Sequence, residues 1–308
     1  LGPAHLGRIM NYRHAFHAGN FADVIKHIVL VLCIEHLKKK PAPFRVIDTH
    51  AGIGRYRLHT GEATRTGEWR DGIARLFGPE AAPLSPAIAA LLKPYLDLIS
   101  AENSSGALNI YPGSPAIVQS MLRRDDRFIA NELHPEDAKA LAAAMKGDKA
   151  VITSAIDGYT ALKAHLPPKE RRGLVLVDPP FEEPGELIRL TEGLAEGLKR
   201  FATGTFALWY PIKDPKHTTR FKRAIAEVTA HADVPPALEV EMFLRPPRNP
   251  ALLNGAGLVV INPPFTLYAD MNAILTELLP RLSDNPEATF SVDALPKAPK
   301  APKPADKK

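Results

Sequence analysis

A chain of 308 residues, 45% hydrophobic and 24% charged, has the composition of a soluble globular protein and room for one large α/β core. Its single cysteine, Cys33, excludes an intrachain disulfide and a thiolate zinc cage. The formal net charge of +5 carries little information about nucleic acid, because five Lys and one Asp within Pro296–Lys308 supply most of it.

In chain order, Leu1–Met10 lacks the apolar stretch of a secretion signal, which predicts a cytoplasmic protein. Met10 is a candidate natural start, with Leu1–Ile9 an extension or cloning scar. Asn20 is placed to cap a helix reaching about Lys40, with Val24, Ile25, Ile28, Val29, Leu32 and Leu37 at helical spacing. Lys38–Lys40 complement the negative end of its dipole, and Pro41 ends it. Cys33 reads as core of this helix. Its longest apolar run, Ile28–Ile34, is far below the roughly 20 residues that span a bilayer, so no membrane span is expected.

Strand and helix then alternate. Strands are predicted at Phe44–Thr49, Arg127–Glu132, Ala150–Ala155, Gly173–Val177, Thr205–Tyr210, Leu238–Phe243 and Gly257–Asn262. Seven apolar strands, most separated by helical stretches, predict a mostly parallel sheet covered on both faces. Glu68–Phe77 and Pro86–Glu102 are helical in pattern, so residues 55–108 read as a helical subdomain inserted into a domain of residues 11–54 and 109–292. The loop Arg245–Asn254 contains no helix and predicts a terminal hairpin with one antiparallel strand. Residues 293–308 read as a disordered Lys/Pro tail. The clusters Arg55/Arg57, Arg65/Arg70, Lys169/Arg171/Arg172 and Arg245/Arg248 read one by one as solvated surface, although such groups can contact phosphates.

The chemistry-bearing residues fall at strand ends, where ligands bind in open α/β sheets. The first strand ends in Asp48-Thr49-His50-Ala51-Gly52-Ile53-Gly54, whose glycines permit close backbone approach. Glu132 ends the second strand and suits either ribose hydroxyls of a nucleoside cofactor or a helix cap. Asp157, with Gly158, follows the third strand and suits either an adenine amine or a helix N-cap. The fourth strand ends in Asp178-Pro179-Pro180-Phe181. Its two prolines remove two N–H donors and leave the Asp178 carboxylate and the Pro179 carbonyl as acceptors. An exocyclic amine offers one proton to each. Accepting both favours a pyramidal nitrogen whose lone pair can attack a methyl group, a gain that belongs to the transition state. Phe181 is then expected to stack on the base. A second motif, Asn262-Pro263-Pro264-Phe265, lies on the terminal hairpin outside this strand order and is assigned a structural role.

These residues resemble the RlmJ family of 23S rRNA adenine-N6 methyltransferases over nearly the whole chain, from Asn11 to about Val292. The resemblance is carried by Tyr12-Arg13-His14-Ala15-Phe16-His17-Ala18-Gly19-Asn20, Ala22-Asp23-Val24, Lys26-His27, Asp48-Thr49-His50-Ala51-Gly52 and Arg55-Tyr56. It continues through Tyr111-Pro112-Gly113-Ser114-Pro115, Glu132-Leu133-His134-Pro135, Asp178-Pro179-Pro180 and Ala207-Leu208-Trp209-Tyr210-Pro211. It implies a Rossmann-like class I fold and S-adenosylmethionine held by His27, His50, Ser114, Glu132, Asp157, Gly158 and Asp178. It also implies Asp178 as catalytic proton acceptor, with Tyr12, His14, Lys26, Pro179 and Phe181 near the target adenosine. Phe181 departs from the Tyr common there, which keeps stacking and removes a hydroxyl. The expected partner is 23S rRNA, naked or in an early assembly particle, bound by a monomer without metal. DNA adenine or a protein glutamine amide would suit the same acceptors, and an RNA-binding protein without turnover is the rival from another class.

Overall fold

The computed structural model describes residues 14–296. Helix α1 (Phe21–Lys38) starts at Asn20, whose side chain accepts from the Asp23 N–H, as its sequence predicts. It is buried on nearly all sides, so it must lie between the sheet and other helices.

Strand β1 (Arg45–Asp48) follows, then a short strand β2 (Arg55–Arg57). Helices α2 (Gly61–Thr66) and α3 (Pro86–Glu102) come next, and β3 (Ile110–Pro112) returns antiparallel to β2. The insertion therefore leaves and re-enters through a two-stranded neck, which the sequence does not announce. Glu68–Phe77, expected as one helix, is two separate 3-10 turns, Glu68–Arg70 and Ile73–Arg75. Between them lies Gly72, where a Cβ would stand 2.0 Å from the Gly19 carbonyl oxygen. The Ile73 N–H donates to that oxygen at 2.8 Å. This backbone-to-backbone contact docks the insertion on the loop that caps α1, and a continuous helix would not fit it. Trp69, Ile73, Tyr95 and Ile99 join the same apolar core as α1.

The remaining chain alternates: α4 (Ser114–Met121), β4 (Arg127–Asn131), α5 (Pro135–Ala144), β5 (Val151–Ser154), α6 (Gly158–His165), β6 (Gly173–Val177) and α7 (Glu186–Arg200). After β7 (Thr205–Ile212) and α8 (Pro215–His231), the chain ends with β8 (Ala237–Phe243), β9 (Gly255–Ile261), α9 (Leu267–Leu282) and β10 (Thr289–Leu295). The main sheet has eight strands rather than the expected seven, in the order β10-β8-β9-β7-β6-β1-β4-β5. Strands β1, β4, β5, β6 and β7 are parallel, and β9 runs antiparallel to both β7 and β8. The expected terminal hairpin is β8–β9, and β10 adds a further antiparallel strand on β8. That edge strand is half exposed and has no apolar run to betray it. It extends to Leu295, past the point where the sequence suggests a tail; the Lys/Pro residues 297–308 lie outside the described residues.

Side chains alternate across the sheet, as a pleated strand dictates. Leu174 and Leu176 of β6 face the core that includes α1, α4 and α9, whereas Val175 and Val177 face the one that includes α6, α7 and α8. Both faces are covered. From β1 the chain moves outward to β4 and β5, then returns on the other side of β1 with β6 and β7. The carboxyl ends of β1 and β6 thus flank a topological switch point, where a ligand crevice opens.

Replacing Gly72 with Ala is expected to cost about 1–3 kcal/mol by overpacking against backbone that cannot rotate away. The loss is read as a lower midpoint in thermal or urea unfolding of Gly72→Ala. An unchanged midpoint would show that the insertion does not dock through this contact.

Candidate active site

A cleft with a cavity volume of about 120 Å³ lies at the switch point, where ligands bind in open α/β sheets. His14, Lys26, His27, His50, Ser114, Glu132, Asp157, Gly158 and Asp178 all line it. The structure therefore brings together nine residues singled out from the sequence. Tyr12 lies outside the described residues. Pro180 lines the cleft, whereas Pro179 and Phe181 do not. Phe181 adopts a left-handed backbone, φ 53°, that turns its ring away to meet Trp209 edge-on at 5.5 Å. There it lines a neighbouring groove between α7 and α8, together with Pro211 and His217.

The centre is built on α1. Lys26 is 3% exposed, and its Nζ sits 2.5 Å from Asp178 Oδ2 and 2.7 Å from Asp23 Oδ1. Burial alone would lower the pKa of this ammonium, but Asp178 and Asp23 outweigh burial and raise it. Burial would likewise raise Asp23, yet His14 and Lys26 hold it well below the usual carboxylate range. His14 Nε2 lies 2.9 Å from Asp23 Oδ2, and the Gly19 N–H donates to the same oxygen. The sequence reading does not single out Asp23 as a site residue, although a signal exists. Asp23, Lys26 and His27 are at i, i+3 and i+4 of an otherwise apolar helix, so they share one face.

His27, 1% exposed, is kept neutral: burial pushes its pKa down to about 3. Its Nδ1 is 2.7 Å from the Tyr111 hydroxyl, which lies 3.0 Å from that of Tyr95. Both tyrosines are fully enclosed. Only the order Tyr95 to Tyr111 to His27 Nδ1 gives each buried hydroxyl proton an acceptor among these groups. The His27 proton is then on Nε2, a buried atom with no protein partner in a residue that lines the cleft. His50 Nδ1 lies 2.8 Å from Thr49 Oγ1, and burial lowers the pKa of this ring to about 4. The cleft thus holds two neutral imidazoles, of which His27 presents a donor.

Acids complete the wall. Ser114 Oγ donates to Asp48 Oδ2 at 2.6 Å, and burial pushes the Asp48 carboxyl up to about 7. Glu132 accepts one backbone N–H on each oxygen, from Gly52 and His134, which leaves a lone pair on each. Burial raises its pKa against those two bonds. Asp157 caps α6 through the Thr160 N–H, and its other oxygen pairs with Arg189 at 2.9 Å. Gly158 has no room for a side chain, since a Cβ would meet the His50 ring at 2.4 Å. Tyr56 and Arg189, not foreseen from the sequence, also line the cleft. Among the described residues, no group of three His, Cys, Asp or Glu side chains is placed to hold a metal ion, and no helix is long and apolar enough to cross a membrane.

Asn262 is not in the cleft. Strand β9 is antiparallel, with Ile261 paired to Phe206, so Asn262 lies at the opposite edge of the sheet. Its amide donates to the carbonyls of Ala202 and Gly204, both at 2.8 Å.

The strand order, the switch-point cleft and an unpaired buried donor facing it fit a nucleoside cofactor with a charged tail, and together define a Rossmann-like class I S-adenosylmethionine-dependent methyltransferase. Comparison with known proteins narrows the class. The family described as ribosomal RNA large subunit methyltransferase D, RlmJ, matches residues 41–293. Ribosomal RNA large subunit methyltransferase J of Escherichia coli is 42% identical over 274 residues, 89% of this chain and 94% of that protein. Its Haemophilus influenzae namesake is 42% identical over 284 residues, 92% and 97%. A crystal structure of a Legionella pneumophila protein superposes with a TM-score of 0.80 at 31% identity, covering 90% of this chain and 98% of that one. The chain belongs to the RlmJ family.

Removing the Tyr111 hydroxyl leaves His27 Nδ1 without its donor and frees the ring to change tautomer. Tyr111→Phe is expected to weaken S-adenosylmethionine binding roughly tenfold, as loss of about 1.4 kcal/mol would; titration calorimetry reads it directly. For Asp48, the folded carboxyl holds its proton up to about pH 7, whereas in the unfolded chain it ionises near 4. The fold therefore binds the proton more tightly, and this group's contribution to stability falls as pH rises from about 4 to 7. Asp48→Asn, which keeps an acceptor for Ser114, should flatten that part of the decline in urea unfolding. A pH profile parallel to that of the parent would refute the assignment.

Proposed function

We propose that this protein transfers a methyl group from S-adenosylmethionine to the exocyclic N6 of an adenine in 23S rRNA, acting as a cytoplasmic monomer. The observation that carries the reading is the state of Asp178 at the end of β6. Lys26 engages its Oδ2, while among the described residues Oδ1 takes no hydrogen bond. One carboxylate oxygen is fixed and the other is left to accept a proton from an amine.

Around it, His27 offers a donor suited to an anionic carboxylate, and Glu132 offers lone pairs suited to ribose hydroxyls. His50, Ser114, Asp157 and Gly158 close the rest of the cofactor wall. When bound, the cofactor supplies an electrophilic methyl group. The residues of this chain orient the nucleophile. Asp178 Oδ1 and the Pro179 carbonyl each accept one proton of the NH2 group, which localises its lone pair in the transition state. Lys26 holds the carboxylate in one rotamer. His14 approaches from the same side through Asp23, and Tyr12 is assigned beside it by the resemblance. A base stacked on Phe181 has to enter through the groove beside Trp209, because the ring faces that way.

The names of the Escherichia coli and Haemophilus influenzae relatives support large-subunit rRNA as the substrate. Adenine is supported by the open Oδ1 of Asp178 in the cleft, an acceptor suited to an exocyclic amine. Asp178→Ala is expected to lower methyl transfer by about 10²–10⁴-fold and, because it removes one partner of Lys26, to lower the unfolding midpoint as well, whereas Asn262→Ala should leave transfer unchanged. The reverse pattern would move the catalytic motif to the other Pro-Pro-Phe. Tritiated-methyl transfer to rRNA, DNA and protein fractions separates the substrate classes, and calorimetry without S-adenosylmethionine binding would leave only an RNA-binding role.

A further inference from the structure

The edge of the sheet opposite the catalytic cleft collects positive charge. Three neighbouring strands, β6, β1 and β4, begin there. Each is approached through a basic segment: Lys169–Arg172 before β6, Lys39–Arg45 before and at the start of β1, and Arg123–Arg127 before and at the start of β4. Two arginines lock these segments together. Arg123 donates to the carbonyls of Lys40 at 2.8 Å and Ala42 at 3.1 Å. Arg172 donates to the carbonyl of Leu37 at 2.9 Å and also to that of Ala42. They satisfy carbonyls at the end of α1 and offset the negative end of its dipole, so the next cations are not drawn back onto the helix.

Lys40, Arg124, Lys169 and Arg171 are exposed and form no salt bridge among the described residues. The acids Asp126 and Glu170 on the same segments are taken up by Arg123 and Arg45, leaving Asp125 as the exposed acid. Phe265, 81% exposed, lies at this edge because β9 is antiparallel, with Lys39 over its ring at 5.6 Å. Each basic segment alone is ordinary solvated surface. Braced side by side, they form one face.

We infer that this edge is a second contact surface for the substrate RNA, gripping the phosphate backbone of a segment remote from the methylated nucleotide. The inference rests on the rRNA reading above. Unpaired cations on a rigid frame gain by releasing the counterions of a polyanion. The forked donors of Arg124 and Arg171 match phosphate oxygens, and Phe265 offers a face to an unpaired base. A lipid surface fits less well, because membrane adhesion needs buried apolar area, and among the described residues Phe265 and Tyr268 are the exposed large apolar side chains of this region.

The test is the full-length triple variant Lys40→Glu, Arg124→Glu, Arg171→Glu, none of which lines the cleft. Its binding is measured across a salt series with two RNAs: deproteinised large-subunit rRNA, and the shortest transcript that still accepts a methyl group. On the long RNA the slope of log affinity against log salt should shrink by roughly one for each phosphate no longer neutralised, thus by about two to three. Affinity and methylation of the short transcript should be unchanged, and the conservative variant Lys40→Arg, Arg124→Lys, Arg171→Lys should keep the parent slope. An unchanged slope on the long RNA, or an equal deficit on the short one, overturns the inference. Loss of binding to phosphatidylglycerol vesicles with the RNA slope intact would assign the face to lipid instead. If the parent protein methylates no RNA, the function itself is wrong; if it does and the slope does not move, only this surface falls.

Discussion

The cleft end of this protein depends on one buried ammonium held between two carboxylates. Lys26 binds Asp23 on its own helix and Asp178 in the turn after β6, 152 residues away. Taking such charges out of water costs several kcal/mol per ion, so each is tolerable only because the others are present. Removing a single partner strands a charge in the interior, at a cost on the order of 3–5 kcal/mol. That penalty fixes the rotation of α1 about its axis and the position of the Asp-Pro-Pro turn. Rotating α1 would break the ion pairs and also withdraw His27 from Tyr111 and His14 from Asp23.

The insertion between β1 and β4 takes part in the same arrangement. Tyr95 is on α3 and Tyr111 on the neck strand β3, and their hydroxyls set which nitrogen His27 presents to the cleft. The Gly19–Gly72 contact meanwhile props the loop before α1. A segment that looks like an appendage in the topology therefore fixes both the height of α1 and the polarity of one of its side chains.

Much of this is legible in the sequence wherever the determinant is local. The Asn20 cap, the bounds Pro86–Glu102 of α3 and the acids ending successive strands follow from spacing and residue type. What stays hidden depends on contacts distant in the chain. The break at Gly72 is imposed by the Gly19 carbonyl, and β10 is held by pairing with β8 rather than by its own pattern. Asp23 has the look of an ordinary first-turn acid until Lys26 and His14 stand beside it. Phe181 shows the limit most clearly, since one positive φ sends its ring into a groove that no periodicity marks. The two Pro-Pro-Phe turns make the complementary point. Near-identical letters sit at opposite edges of the sheet because one strand runs against the others.

The long reach of the Lys26–Asp178 pair has a consequence for synthesis. Helix α1 is made well before β6, and its polar face has no counter-charge from the turn after β6 until 152 more residues exist. At roughly 5–20 residues per second that wait is about 8–30 s. Throughout it, an apolar helix with a half-neutralised lysine remains on the nascent chain without β6, β7 and β9, the strands it packs against.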